Sequence, residues 1–230
     1  MTPKLLVCIP SPRDIPEVKE NWDNYSYDVC VVKYAQQLEA YTFLRESFLE
    51  KTEYTHLAWI PDDVVVSPED LDELWSCILE YDFPVLSGMC PVDEDETRPI
   101  GIPLACQWNI PMKQGGDEYQ YPREWVLKSE WDKITDDIIE IEHVGFPCMI
   151  IRRDVMEKVS WRGSTRPAPN YEGNFDWQFS KDCKELGIKI RVKNGLMFKH
   201  LRNRQAKESK SNPLEKQSYH FMIFNESYYR

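Results

Sequence analysis

The chain has 230 residues, 42% hydrophobic and 13% aromatic, which suits one large α/β domain, or one domain with a tail, and excludes an intrinsically disordered chain. Its formal net charge of −11 at pH 7 argues against a general nucleic-acid binder, because phosphate binding needs basic patches. The 7 cysteines include no Cys-x-x-Cys pair and sit mostly in apolar runs, as expected of buried free thiols in a reducing cytoplasm, and not of a zinc or thioredoxin-like site.

Leu5 to Ile9 is predicted to be the first strand; this apolar run is too short for a signal peptide or a membrane span, so a soluble protein is expected. It ends in Pro10-Ser11-Pro12-Arg13-Asp14, a loop that is either an ordinary turn or a ligand edge. Tyr27 to Lys33 is expected as strand two. From Ala35 to Lys51 the apolar spacing is helical, with Leu38, Tyr41, Leu44, Phe48 and Leu49 as a core-facing stripe and Gln36, Gln37, Glu39 and Arg45 on the solvated side.

Leu57 to Ile60 then forms a buried strand, and two acids, Asp62 and Asp63, lie just past its carboxyl end. Open α/β sheets bind ligands in the crevice beyond the carboxyl ends of their strands. Paired carboxylates there are hard oxygen ligands for Mg²⁺ or Mn²⁺ carrying a phosphorylated substrate. Turn formation is the competing role for such acids. It is weakened here because the following helix, Pro68 to about Tyr81, has its own start signal: Ser67 as N-cap, Pro68 in the first turn and Asp70 in a capping-box-like position. Leu71, Leu74, Trp75, Ile78 and Leu79 make its buried stripe. Pro84 to Cys90 is the next strand, where Gly88 suits a close approach. Strands and helices alternating at this spacing predict parallel neighbours in the sheet.

Regularity is lost from Pro91 to about Asp137, an insertion with the acidic run Asp93-Glu94-Asp95-Glu96 and three indoles, Trp108, Trp125 and Trp131. Those indoles suit a sugar-stacking platform over the acceptor side of a cleft, or a satellite core under a long loop. Ile138 to Ile141 and Cys148 to Ile151 are expected as strands, Arg152 to Val159 as a short helix, and Phe175 to Leu186 as a helix closed by Gly187. Ile188 to Val192 and Leu196 to Leu201 complete the strands, with Leu196, Phe198 and His200 on one face of the second. The last stretch, residues 202–230, is basic and then aromatic: a partly helical tail for docking on the body or on a second copy, or a flap over phosphate.

Three segments together resemble a family 2-type glycosyltransferase of the GT-A fold. His56 to Val66 is similar to the strand that ends in the family's Asp-x-Asp motif. His143-Val144-Gly145-Phe146-Pro147-Cys148-Met149-Ile150-Ile151-Arg152-Arg153 resembles its glycine-containing segment leading into a strand and Arg-Arg. Asn174-Phe175-Asp176-Trp177-Gln178-Phe179, continuing through Glu185-Leu186-Gly187 to His200, looks like the acceptor-side helix with a Glu-Asp motif and the later metal-binding histidine. The resemblance runs from about Lys4 to His200. It departs from the pattern at Pro61, where the motif's first acid would stand, and at Phe175, where the glutamate would stand.

The resemblance implies a Rossmann-like, mostly parallel sheet flanked by helices over residues 1–201, with an irregular insertion at about 91–137 and a C-terminal tail. It implies a cytoplasmic enzyme that moves a sugar from a nucleotide-sugar donor to a hydroxyl on a glycan, lipid-linked sugar, protein or modified nucleobase. By the same resemblance Asp63 and His200 are the Mn²⁺ or Mg²⁺ ligands, with Asp62 as a substitute. Pro10, Ser11, Arg13, Asp62 and Asp63 would face the donor, and Gly145, Phe146 and Trp177 the acceptor. Asp176 would be the general base of an inverting displacement. Two other classes compete: a nucleotidyltransferase, which would want a glycine-rich phosphate loop after strand one, and a non-catalytic carbohydrate- or partner-binding descendant.

Overall fold

The structure is a computed structural model; it describes residues 2–11, 15–33, 35, 37–90, 105–108, 123–125, 134–161, 175–201 and 220–224. In chain order the elements are β1 (Leu5–Ser11), α1 (Pro16–Trp22), β2 (Asp28–Lys33), α2 (Gln37–Glu50), β3 (His56–Trp59), β4 (Val64–Val65), α3 (Pro68–Tyr81) and β5 (Val85–Met89). Then come β6 (Ala105–Trp108), β7 (Arg123–Trp125), β8 (Ile138–Ile141), β9 (His143–Val144), β10 (Met149–Arg152) and α4 (Arg153–Lys158). The last are α5 (Phe175–Glu185), β11 (Ile190–Met197), β12 (Lys199–His200) and β13 (His220–Phe224).

β1 and β2 are buried along their whole length, which is why both read as continuous apolar runs and not as alternation. They belong to an 8-stranded sheet ordered β13-β2-β1-β3-β10-β5-β11-β8. β2, β1, β3, β5 and β11 share one direction; β10, wedged between β3 and β5, runs against them, as do the edge strands β8 and β13. The protein is thus an α/β fold with a Rossmann-like, mostly co-directional sheet, and apolar layers cover both of its faces.

Sequence and structure agree on α3: the Ser67 hydroxyl accepts from the Asp70 amide at 3.1 Å, and Leu71, Leu74 and Ile78 are buried. Leu79, expected in that stripe, is 38% exposed, and Cys77 takes its place inside. On α2 the expected face of Tyr41, Leu44 and Phe48 is buried. Arg45, expected in solvent, instead donates to the carbonyls of Met156 and Val159, tying α2 to the end of α4. Gly187 adopts φ +68° behind α5, as a helix-ending glycine should.

Four elements depart from expectation. α1 was not foreseen: it buries only Val18 and Trp22, too few residues to show a helical period. The two strands expected around Lys193-Asn194-Gly195 are joined in β11, because a register shift between Val192 and Met197 absorbs the turn-like residues. Gly195 there takes φ +92°, and Asn194 bonds to the carbonyls of Ile134 and Asp136. The insertion is less irregular than its sequence suggests, since β6 and β7 join β9 in a 3-stranded antiparallel sheet. The tail, expected to be partly helical and to dock on the body or on a second copy, contributes a strand: β13 pairs antiparallel with β2 of the same chain.

The cysteines at 8, 30, 77, 90, 148 and 183 are buried and unlinked. Among the described residues no helix is long and apolar enough to cross a membrane.

Candidate functional site

The parallel register of β1 with β3, with Cys8 beside Trp59 and the Ile60 amide bonded to the Cys8 carbonyl at 3.1 Å, brings the ends of both strands to one edge of the sheet. Pro10 and Ser11 close β1 there, both buried, and the Ser11 hydroxyl has no hydrogen-bond partner among the described residues. Asp62 and Asp63 follow β3 at the same edge. Asp62 is 1% exposed, whereas Asp63 keeps 15% of its side chain open.

β11 and β5 end together, and the Phe198 amide bonds to the Met89 carbonyl at 2.6 Å. The chain then turns into β12, which pairs antiparallel with β4, setting His200 against Val64. The Leu201 amide closes this ribbon on the Asp63 carbonyl at 2.7 Å. The result is a direct contact between residues 137 apart in sequence: His200 Nε2 lies 3.3 Å from Asp63 Oδ2. His200 reaches it because Leu196, Phe198 and His200 share the buried face, as the strand period predicts, while Met197 is 45% exposed.

A carboxylate oxygen is the donor type that Mn²⁺ and Mg²⁺ prefer, and an imidazole nitrogen is a donor for first-row transition-metal ions. Among the described residues no group of three His, Cys, Asp or Glu side chains converges to hold a metal ion. Asp63 and His200 could hold a cation only if its remaining positions were left to water or substrate oxygens. Cys90 is close enough to feel Asp63, and burial first and that carboxylate second push its thiol up, so it stays protonated and offers no thiolate.

Asp176 lies in the first turn of α5. α5 leads into β11 through a short connection at the opposite edge of the sheet, so its N-terminal turn points to the edge that carries Asp63. Aromatic packing fixes that turn: Phe175 stacks on Tyr41 at 4.9 Å between ring centres, and Tyr41 lies 4.3 Å from Trp59, the last residue of β3. The Asp176 side chain is 28% exposed, and its Oδ2 stands 4.0 Å from Nε2 of His143, a fully buried histidine on β9. His143 opens the glycine-containing segment, yet the sequence assigned it no role. The available signal was on α5, where Ser180, the other partner of the ring, follows Asp176 by one helical turn.

The remaining candidates divide. Gly145 and Phe146 are buried; Phe146, 6% exposed, stacks on Trp161 at 5.8 Å within the aromatic core, leaving little surface for an acceptor. Arg13, Trp131 and the side chains of Trp108, Trp125 and Trp177 lie outside the described residues. The Arg-Arg pair belongs to the opposite edge of the sheet, because Arg152 is registered with His56 at the start of β3. Arg153 there donates to the carbonyls of Phe48, Leu49, Lys51 and Tyr54, closing the C-terminal end of α2.

No protein-family model matches the chain, and no curated protein matches it. Among solved structures it is similar to A197 from STIV, with 14% identity over 85% of this chain and 81% of that one and a TM-score of 0.48. It is also similar to S. aureus TarS 1-349, with 12% identity, 89% and 62% of the two chains covered and a TM-score of 0.48. A third is CMP:2-keto-3-deoxy-manno-octonic acid synthetase complexed with CTP, at 13% identity, 91% and 100% coverage and a TM-score of 0.45. Likeness this distant carries no activity across to this chain.

Proposed function

We propose that this chain is a nucleotide-sugar-dependent glycosyltransferase that acts on a hydroxyl acceptor. The observation that carries the reading is the Asp63–His200 contact at the carboxyl edge of the sheet, made between residues 137 apart in sequence and at the positions the resemblance marks as metal ligands. Asp63 and His200 would hold Mn²⁺ or Mg²⁺ with the donor diphosphate. The cation supplies Lewis-acid neutralisation of the charge that develops on the leaving diphosphate. Ser11, with a buried hydroxyl that lacks a partner among the described residues, would bond a polar group of the donor, since leaving such a group unsatisfied costs about 1–3 kcal/mol.

Asp176 would accept the acceptor hydroxyl proton while the oxygen attacks the anomeric carbon and the diphosphate departs from the opposite face. A single displacement of this kind inverts the anomeric centre. The partial exposure of Asp176 at a helix N-terminus suits the role, because the helix dipole favours the ionised carboxylate that a base requires.

The test is release of nucleoside diphosphate from a panel of nucleotide sugars with Mn²⁺ and mixed hydroxyl acceptors. Wild-type protein should release nucleoside diphosphate, and Asp176→Asn should lower the rate by roughly 10²–10⁴-fold while donor binding is kept. Release of pyrophosphate from a nucleoside triphosphate and a sugar phosphate would instead identify a nucleotidyltransferase. Full transfer by folded Asp176→Asn would remove the proposed base.

A further inference from the structure

We infer that His143 is a positioning residue for Asp176, holding the carboxylate in the orientation from which it takes the acceptor proton; this rests on the glycosyltransferase reading above. His143 sits on the two-residue strand β9, where pairing with β6 and packing against α5 leave the ring no exposure. Its Nδ1 lies 2.8 Å from the Ser180 hydroxyl. That hydroxyl has one proton, and Ser180 donates it to the Asp176 carbonyl at 2.7 Å. The Ser180 oxygen therefore accepts from Nδ1–H, which fixes both the tautomer and the plane of the ring.

With Nδ1 committed to Ser180, the Nε2 edge is left facing Asp176 Oδ2 at 4.0 Å. A lone pair on Nε2 would repel a carboxylate. The approach is attractive to the ionised carboxylate when Nε2 carries a proton as well; a proton on the acid instead would disable the base. Among the described residues, other charged groups on α5 and beside β9 are engaged elsewhere: Lys184 bonds Glu142 at 3.1 Å, Lys181 lies 3.8 Å from Glu185, and Asp182 accepts from Ser160. Ser180 thus grips both ends of the arrangement, the ring through Nδ1 and the Asp176 main chain through its carbonyl. The design resembles an orienting group behind a base, with the buried imidazole restraining the carboxylate rotamer and leaving its other oxygen for the acceptor.

The experiment compares His143→Phe, His143→Gln and Ser180→Ala with wild type and Asp176→Asn in steady-state transfer, alongside thermal unfolding and ¹⁵N NMR of the His143 ring. Phenylalanine keeps the ring and removes both nitrogens, so kcat should fall about 10²-fold, the usual cost of a misplaced reacting group, with the donor KM unchanged. Glutamine restores a donor near Nε2 and should recover most of that loss. Ser180→Ala should lower kcat in the same sense, and as a smaller change it serves if His143→Phe does not fold. In wild type the ring should show a protonated Nδ1, and Asp176→Asn should move the Nε2 resonance. If Asp176→Asn abolishes transfer while His143→Phe and Ser180→Ala keep wild-type kcat, the role of His143 is overturned and the base assignment stands. Equal losses in the Phe and Gln variants that track their unfolding temperatures would likewise show a purely structural histidine. If Asp176→Asn transfers normally, both assignments fall.

Discussion

Gly88 links the core to the site, and replacing it with alanine should be costly because the Phe198 ring lies over it. A Cβ at this position would lie 2.1 Å from Cε2 and 2.5 Å from Cζ of Phe198, with the Leu196 carbonyl at 3.1 Å. Carbon atoms pack at about 3.5–4.0 Å, so the ring has to retreat by roughly 1.5 Å. It has little freedom to do so, since the Phe198 amide is held on the Met89 carbonyl and the residue is 3% exposed. Overpacking of this kind costs about 1–3 kcal/mol. For a chain of this size each kcal/mol lowers Tm by about 2–4 °C, so Gly88→Ala should lower Tm by roughly 2–12 °C. Thermal unfolding followed by circular dichroism measures this. Phe198→Leu in the same background should return part of the loss, making the double variant more stable than the sum of the two single effects. Because Phe198 is two residues from His200 and shares its buried face, Gly88→Ala should also weaken any cation response that depends on the Asp63–His200 contact. An unchanged Tm in Gly88→Ala, or strictly additive effects with Phe198→Leu, would refute the proposed ring contact.

Three further outcomes follow from named contacts. His56 is held down at about 4 by burial first and the positive Arg152 second, so between about pH 6.5 and pH 4 the unfolded chain binds a proton that the folded chain refuses. Stability should therefore fall as pH drops through that window, by at most about 3 kcal/mol, and His56→Asn should flatten the slope in urea titrations. Arg153→Lys should cost about 2–3 kcal/mol in the same assay, since an ammonium cannot span the carbonyls of Phe48, Leu49, Lys51 and Tyr54 that the guanidinium fork reaches. Ser67→Ala should cost about 1 kcal/mol through loss of the bond to the Asp70 amide, and a neutral effect would mean the cap is redundant.

Most of the sheet was legible because its strands are short, fully buried apolar runs with turn residues on either side, and α3 announced itself through Ser67, Pro68 and a buried stripe. The direction of β10 was not legible. Met149 to Arg152 has the same apolar content whether it runs with or against β3, and only the long-range pairing decides. β13 was missed for a similar reason: His220 to Phe224 gains its strand conformation from the free edge of β2, not from its own pattern. At the site, the acids after β3 were legible from local pattern, and the strand period put His200 on one face with Leu196 and Phe198, but only the resemblance marked His200 as a partner of Asp63. What joins them is the β4–β12 ribbon, two residues on each side, too short to leave a signature. His143 was hidden because a two-residue strand carries no period and its meaning comes from Ser180 and Asp176 across the fold.

The most direct measurement is the thermal shift produced by a nucleoside diphosphate with and without Mn²⁺, in wild type, Asp63→Ala and His200→Ala. At a ligand concentration about 100 times Kd, binding adds about 2.7 kcal/mol, so wild-type Tm should rise by roughly 5–10 °C with nucleotide and Mn²⁺ together, and the rise should vanish with chelator. Both variants should unfold near the wild-type temperature without ligand and lose the metal-dependent increment. An increment that survives chelation, or one that Asp63→Ala and His200→Ala retain in full, would contradict a donor-carrying cation at this pair.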